Sequence, residues 1–583
     1  MTSGQEISEG VFEYSVSEIG EITPDSVDID LDIFPDLSRT RIHYWKSDWG
    51  SEWAPVVVSA LETVEIFTSA GRSSKGFHPF VIVEDGEIAA IVAIAFSGNW
   101  KIGVSKTGQT LRVNGGLSSF NNEVPRNLKP SDFPKAYVSI STSGVHVASR
   151  QLTSAMRKIS NRGPRKMKME WNTWWPYEDV AIDQETFLRN AKVAASVGLD
   201  VAVMDAGWFG PSDKSTHWFN FRGDWGLVNS ERFPEGIEVL AEKTRELGIE
   251  FGIWIEFEAL GELAQLNIQE PSFMAQSISG DQIKDLGYIC FGNPRARDYA
   301  FKSLAHLVEA YGVTWIKIDF NVDPGAGCQR VDHGHDEHDG LLRHINALYE
   351  GLDEFHSRFP GVIVEACSSG GLRWDLELSQ HVDVGFPSDT DWPEHALSCF
   401  WASSQFFPAE QLLVWCDSQW LGDHVHQNFT VAELGDTDHL DFILAITLLG
   451  AFGLSQRLED FSAKSQKKLA RYCSLYVEHF RPRHQIGMSV AHLTNQPERE
   501  LAGERQVAFA LETPGFESIV MGFTLPGARG SKVLEYVSSH IKSTTRVRDL
   551  MKGEVSDVQV HEGKIIFEIG PIENQARILI LEN

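Results

Sequence analysis

The chain has 583 residues, with 51 Lys plus Arg against 81 Asp plus Glu and a formal net charge of -30. Such an acidic surface repels phosphate backbones and anionic headgroups, which argues against nucleic-acid and membrane-surface partners. The length exceeds what one hydrophobic core usually supports, so two or three domains are expected around a large central one.

In chain order, the first 165 residues carry short apolar or alternating runs, such as Phe80 to Val83 and Glu87 to Ala95, broken by Gly, Asn and Ser. That texture predicts an antiparallel β domain over 1–165. The middle, 166–482, alternates helical and strand periods with glycine punctuation. Asp183 caps a helix whose Phe187, Leu188, Ala191 and Ala195 share a face, Gly198 stops it, and a strand follows. The unit recurs before Gly248, Gly312 and Gly361, and repeated helix–Gly–strand units imply parallel strands with crossover helices. The predicted strands are 168–175, 201–208, 251–256, 314–320, 362–367 and 383–389, with weaker ones at 412–416 and 449–454. They are near-continuous apolar runs, as strands covered on both faces should be. The sum is a central (β/α)8 barrel. From 483 to 583 strand texture returns at 507–512, 518–525, 532–539, 564–569 and 576–582, which predicts a C-terminal antiparallel β-sandwich. No apolar run reaches the roughly 18 to 20 residues of a membrane-spanning helix. The start MTSGQEISEG is polar and acidic, unlike a secretory signal, so the cytosol is the expected compartment.

A barrel of this kind places its chemistry at the C-terminal ends of the strands. Those ends carry Asp205, Glu256 and Glu258, Asp319, Cys367, Asp389 and Asp391. Of the 17 tryptophans, Trp174, Trp175, Trp208, Trp254 and Trp392 accompany these acids. Carboxylates for hydroxyls and indoles for C–H faces suggest a sugar site. Lys317, Asp319 and Asn321 sit two apart on one strand and share a face. If that face is the barrel mouth, the lysine charge favours an ionised Asp319, which suits a nucleophile; the plain alternative is a buried Lys–Asp pair that only holds the strand. Asp389, in GFPSDTDW, is the second candidate carboxylate, since a retaining glycosidase needs two carboxyls about 5 to 5.5 Å apart. A turn or helix cap is the plain alternative for Asp389, and Asp391 is a rival acid.

Two other groups invite attention. Asp332, His333, His335, Asp336, His338 and Asp339 crowd the loop after the fourth predicted strand, yet their consecutive spacing lacks the i, i+4 display of a helical metal motif. The expected reading is a solvated loop and no metal. The six cysteines, 290, 328, 367, 399, 416 and 473, show no paired CxxC spacing and read as buried thiols rather than disulfides or a zinc site. Cys367 lacks any nearby His–Asn signature and is expected to line the pocket rather than react. Gly370 and Gly371 would let backbone N–H groups approach a substrate hydroxyl.

The ordered motifs carry a family resemblance. GRSSKGFHPF (71–80), FSGNW (96–100), WNTWW (171–175), DAGWFG (205–210), GDW (223–225), FGIWIEFE (251–258), IKIDFN (316–321), CSSGGLRWD (367–375) and SDTD (388–391) follow the order found in the α-galactosidases of glycoside hydrolase family 36, the melibiase group, which the chain resembles over most of its length. The resemblance implies an N-terminal β-supersandwich, the catalytic barrel and a C-terminal β-sandwich. It implies a retaining mechanism without a cofactor, with Asp319 as nucleophile and Asp389 as general acid/base. Asp205, Lys317, Cys367 and Arg373 would contact sugar hydroxyls, and Trp208 and Trp254 would shape the pocket. The implied partner is a small carbohydrate; a homo-oligomer is an analogy with relatives only.

Three positions depart from the family pattern. The usual DDGW has Ala206 as its second residue here, the Arg of DxNR is Val322, and SDxTD is one residue short. Losing one hydrogen-bonding carboxylate from a buried sugar site should cost about 1.5 to 3 kcal/mol with the ordinary substrate. The resemblance implies an exo-acting retaining α-glycosidase, with an α-galactosidase as the leading expectation. Altered sugar specificity (an α-N-acetylgalactosaminidase or β-L-arabinopyranosidase), a galactosyl transferase like the raffinose synthases, and a non-catalytic sugar-binding protein are the alternatives.

Overall fold

A computed structural model describes residues 2–17, 25–118, 128–160, 167–279, 282–390, 392–416, 438–497, 503–556 and 558–582. The expected domain boundary at 165/166 and the rival acid Asp391 lie outside them. The chain forms two compact units: Met1–Asn161 with Tyr177–Ala191 and Val201–Asp389, and Arg162–Pro176 with Lys192–Asp200 and Thr390–Asn583.

In the first unit the N-terminal strands pair into two antiparallel sheets, one of eight strands and one of four. The strand Ala89–Ala95 of the larger sheet is buried at every position, as an all-apolar run (AAIVAIA) with neighbours on both sides demands. The helix Val145–Ile159 packs beside it, and Ser139 Oγ donates to the Ala148 carbonyl at 2.8 Å to fix the helix against its strand.

Five parallel strands follow in the same unit: Val201–Met204, Glu250–Ile255, Trp315–Ile318, Ile363–Ala366 and Val384–Gly385, each paired with the next. Their interior positions are buried and, apart from Lys317 and Glu365, apolar, as the sequence predicts for doubly covered strands. The crossover helices start and stop as read. Asp183 Oδ1 accepts the Thr186 N–H at 2.8 Å, and Gly312 closes the helix Pro294–Tyr311 in the left-handed region at φ 64°.

The strands are shorter than predicted because polar ends peel away from the ladder. Strand two stops at Met204: Asp205 Oδ1 turns back to accept the Ala206 N–H at 2.9 Å, and Gly207 at φ 111° takes a conformation in which a Cβ would lie 2.5 Å from the Asp179 carbonyl. An antiparallel hairpin, Met274–Ser279 with Gln282–Ile289, is inserted after the third strand; the helix–strand reading had no place for it.

The second unit holds three more parallel strands, Glu170–Asn172, Leu413–Cys416 and Ala451–Leu454. Predicted strand 168–175 ends early because Asn172 Oδ1 caps the Trp174 N–H at 2.8 Å and a short helix, Trp174–Tyr177, begins. The C-terminal part of this unit forms a six-stranded and a three-stranded antiparallel sheet, with Ala508, Val520, Tyr536, Val547, Ile565, Phe567 and Leu579 in the core cluster. The five predicted C-terminal strands appear as Gln506–Glu512, Ile519–Thr524, Lys532–Val537, Lys564–Ile569 and Gln575–Glu582. Among the described residues no helix is long and apolar enough to cross a membrane.

Candidate active site

The register of the parallel strands stacks the candidate side chains at one level. Ile255 pairs with Ile318, and Ile318 with Ala366. The residues that follow, Glu256, Asp319 and Cys367, therefore emerge together. The Asp319 N–H donates to the Ile255 carbonyl at 3.1 Å and the Cys367 N–H to the Ile318 carbonyl at 2.8 Å, extending the ladder by one step.

Four donors converge on Asp319. Oδ2 accepts from Trp254 Nε1 at 3.2 Å and Asn321 Nδ2 at 2.9 Å; Oδ1 accepts from the N–H groups of Phe320 at 2.8 Å and Ser369 at 3.3 Å. The carboxyl is 7% exposed, so these donors stand in for the water an anion would otherwise hold. Asn321 is itself fixed: Ser369 Oγ donates to its Oδ1 at 2.6 Å, and its N–H reaches Glu256 at 2.6 Å. Glu256 is buried and takes Arg222 at 3.0 and 3.1 Å; burial raises its pKa and Arg222 opposes the rise.

Asp389 has the opposite surroundings. Burial, then the negative charge of Asp319, pushes its carboxyl up to about 7, while Lys317 and a hydrogen bond from Trp49 pull the other way. That hydrogen bond comes from the N-terminal sheet region: Trp49 Nε1 donates to Asp389 Oδ2 at 2.9 Å. The preceding Ser388 is anchored similarly, its Oγ donating to Glu52 Oε2 at 2.8 Å.

The turn 368–371 brings the two acids together. Ser369 at φ 44° and Gly370 at φ 73° both adopt the left-handed region. A Cβ on Gly370 would lie 2.4 Å from the Asp389 nitrogen, and one on Gly371 2.2 Å from the Pro387 carbonyl. The glycines thus let this turn press against 387–389, while its Ser369 N–H holds Asp319. The sequence reading gave them a different role, contact with a hydroxyl.

The remaining predicted residues of this unit are placed as follows. Lys317 makes a buried ion pair with Asp205 at 3.0 Å rather than with Asp319. Burial works against its ammonium, but Asp205 and the neighbouring acids hold it well above the usual value. Trp208 is buried and donates Nε1 to the Trp254 carbonyl at 2.9 Å, so it supports Trp254 from behind. The Cys367 thiol is pushed well up by burial and by the charges of Asp319 and Asp389, which keeps it protonated and agrees with a lining rather than a reacting role. Arg373 has both terminal nitrogens on Glu258, at 3.0 and 2.6 Å, and its guanidinium lies over Phe320. Burial alone would raise Glu258, but Arg373 and His344 hold it down at about 2. Trp174 and Trp392 belong to the second unit, where Trp174 opens the short helix and Trp392 precedes the helix Pro393–Ser403.

Sequence reasoning missed Trp49, Glu52, Arg222 and Arg72. Arg72 donates to the Phe320 and Ser368 carbonyls and to the Ser368 and Ser369 hydroxyls at 3.1 to 3.4 Å, and pairs with Asp323. Ser73 and Ser97 both donate to Asp375, at 2.7 and 2.9 Å. The motifs GRSSKGFHPF and FSGNW thus buttress the loops that carry the acids. Their density of small hydroxyl residues beside an arginine was the available signal.

The loop carrying Asp332 to Asp339 corrects its reading. Val331, Asp332, Gly334, Asp336 and Glu337 are exposed, but His333 and His335 are buried at 1% and 7% exposure; the loop is solvated on one side only. Cys290, Cys328, Cys367, Cys399 and Cys473 are buried thiols.

A parallel-barrel protein with flanking antiparallel domains and acids at its strand ends is the class these features define. The chain belongs to the Melibiase family, whose model matches residues 131–487. Among curated relatives it is 24% identical over 474 residues to alpha-galactosidase AgaA of Geobacillus stearothermophilus, covering 76% of this chain and 61% of that one. It is 26% identical over 447 residues to an alpha-galactosidase of Escherichia coli, covering 74% and 60%. The chain thus spans about three fifths of these relatives. The crystal structure of AgaA superposes with a TM-score of 0.78 at 18% identity, covering 98% of this chain and 79% of that one. The galactosidase domain of alpha-galactosidase-sucrose kinase AgaSK superposes equally, at 17% identity with 98% and 78% covered. The fold is therefore the expected one: a central (β/α)8 barrel with an N-terminal β-supersandwich and a C-terminal β-sandwich.

Proposed function

We propose that this protein is a retaining exo-α-glycosidase that hydrolyses terminal α-galactosyl residues of small oligosaccharides. The observation that carries the reading is the contrast between two neighbouring carboxyls: Asp319 accepts four hydrogen bonds, whereas Asp389 is raised to about 7 by burial and by the charge of Asp319. Environments that push two acids apart assign the roles of acid and nucleophile. Relatives named alpha-galactosidase support the substrate class, as does the solved structure of a substituted AgaA in complex with raffinose.

In the proposed reaction the Asp319 carboxylate attacks the anomeric carbon as Asp389 gives its proton to the departing glycosidic oxygen. The C–O bond breaks and a glycosyl ester forms on Asp319. Water then attacks the same carbon, Asp389 takes a proton from it, and Asp319 leaves as carboxylate. The Asp205–Lys317 pair offers hydrogen-bonding groups to ring hydroxyls, and Trp254 orients Asp319. Ala206, 1% exposed beside Asp205, favours a second reading in which the same chemistry acts on a sugar differing from galactose at the position the absent acid would hold.

Asp319→Asn is the decisive variant. Turnover of a nitrophenyl α-galactoside should fall at least about 10⁴-fold with the melting curve retained. Mass spectrometry after a 2-fluoro glycosyl fluoride should place the trapped sugar on Asp319. Undiminished turnover in the variant, or label on another residue, refutes the assignment.

A further inference from the structure

Away from the two acids, four buried side chains from two stretches of the chain face one another: Cys290, Cys328, His333 and His335. Their sulfur and ring-nitrogen atoms all lie within 4.8 Å of one another. Cys290 Sγ is 3.3 Å from His335 Nε2, and Cys328 Sγ is 3.5 Å from His333 Nδ1. Zinc bonds of about 2.3 Å to sulfur and 2.0 to 2.1 Å to nitrogen give a tetrahedron whose S–N edges are about 3.5 Å long. Neither contact is longer than such an edge.

The surroundings prepare this set for a cation. His335 Nδ1 lies 2.8 Å from the Asp336 carbonyl, an acceptor that fixes the proton there and leaves the Nε2 lone pair aimed at the sulfurs. Metal-binding imidazoles are held in this way by backbone carbonyls. The ring has no freedom to leave: a Cβ on Gly292 would lie 2.5 Å from His335 Cδ2, and one on Gly340 2.8 Å from His335 Cε1. Gly334, at φ 78°, turns the backbone between the two histidines so that both side chains point inward while Asp332 and Asp336 face out.

We propose that Cys290, Cys328, His333 and His335 bind one structural zinc ion. Two thiolates and two imidazoles select zinc over hard cations, and four protein ligands leave no open position for catalysis. Binding releases the two thiol protons and leaves a neutral Zn(S)₂(N)₂ centre, which suits an apolar setting: Cys290 and Cys328 share a cluster with Ala275, Tyr288 and Phe320.

The position gives the ion a purpose. Cys290 directly follows the hairpin Met274–Ile289, and its N–H donates to the Phe273 carbonyl at 2.9 Å. Cys328 lies in the loop after Asp319, where the next residue, Gln329, donates its N–H to the Gln276 carbonyl at 2.8 Å. The zinc would tie the inserted hairpin to that loop. Phe320, whose N–H holds Asp319, packs in the same cluster, so the metal lies one apolar layer behind the proposed nucleophile.

The test uses the full chain, tag removed, from cells grown with added zinc. Elemental analysis should find about one zinc per chain, and Cys328→Ser should lose at least about nine tenths of it while the control Cys473→Ser keeps it. Because Cys328→Ser could misfold, a second measurement uses the unmutated chain. After removal of metal with a strong chelator, Co²⁺ should give thiolate-to-metal charge-transfer bands and tetrahedral d–d bands. Zinc, but not Mg²⁺, should restore the melting temperature lost on chelation. A cooperatively folded wild-type chain that takes up neither zinc nor cobalt, zinc retained in Cys328→Ser, or a 290–328 disulfide in unreduced peptide maps would each overturn the proposal.

Discussion

Trp49 donates its indole N–H to Asp389 Oδ2 across 340 positions of sequence, at 2.9 Å. The bond favours the ionised carboxyl and so opposes the burial and the Asp319 charge that raise Asp389 to about 7. A general acid must be protonated to act, so the alkaline limb of kcat/KM should begin near that value and fall tenfold per pH unit above it. Trp49→Phe removes a hydrogen bond that favours ionisation, so the alkaline limb should move to higher pH and kcat should drop with the loss of orientation. A pH–rate profile with a nitrophenyl substrate checks this. A limb that stays in place or moves to lower pH contradicts the assignment of Asp389.

The same raised value carries a stability consequence. An acid whose folded pKa lies above its unfolded value stabilises the protein most at low pH, and that contribution is lost as pH rises through the folded value. Between the ordinary carboxylate value of about 4 and the folded value of about 7 the native carboxyl stays neutral while the unfolded one ionises, so wild type loses stability with rising pH and Asp389→Asn, which has no proton to lose, does not. Above about 7 both states are ionised and the native site holds two repelling carboxylates, so the variant should melt higher than wild type by a margin that no longer grows. Melting curves from pH 4 to 9 should show the gap widening from about pH 4 and levelling off near 7; a gap that stays constant over that range would mean that the folded carboxyl is not raised.

How much of this was readable in advance follows the range of the interactions. All eight parallel strands were legible because apolar runs and glycine stops are local signals, and Asp205, Asp319 and Cys367 fell at strand ends because each directly follows its strand. Lys317 was paired with the wrong acid: the two-residue period puts it on the face of Asp319, but its amine reaches across to Asp205 on another strand. Trp49, Arg72 and Arg222 were missed because a hydrogen bond between distant segments leaves no periodic trace. The cysteine–histidine cluster escaped for a related reason. Cys290 and the loop residues approach only when the hairpin after the third strand folds back, and a search for local CxxC or HExxH spacing cannot register that.

Arg373 separates a structural from a binding role. Its terminal nitrogens are both on Glu258, and the pair is 3% and 0% exposed. Arg373→Met would strand a buried carboxylate and should cost about 3 to 5 kcal/mol, with a marked fall in melting temperature. If the guanidinium served chiefly to hold a sugar hydroxyl, KM would rise and the melting curve would not move.

Ala206 offers the sharpest change of substrate preference. Asp205 already has Lys317 on one oxygen and the Ala206 N–H on the other, so it is oriented but alone where the family pattern has two acids. Ala206→Asp should restore a second acceptor for the sugar, and one charge-assisted hydrogen bond contributes about 1.5 to 3 kcal/mol. That corresponds to a gain in kcat/KM of about 10- to 150-fold for an α-galactoside. A panel of α-galactoside, α-N-acetylgalactosaminide and β-L-arabinopyranoside substrates, run on wild type and variant together, reads the effect as a ratio. The galactoside should gain most in the variant. If instead all three lose activity alike, the pocket at 206 is closed by packing, and selectivity has its origin elsewhere in the site.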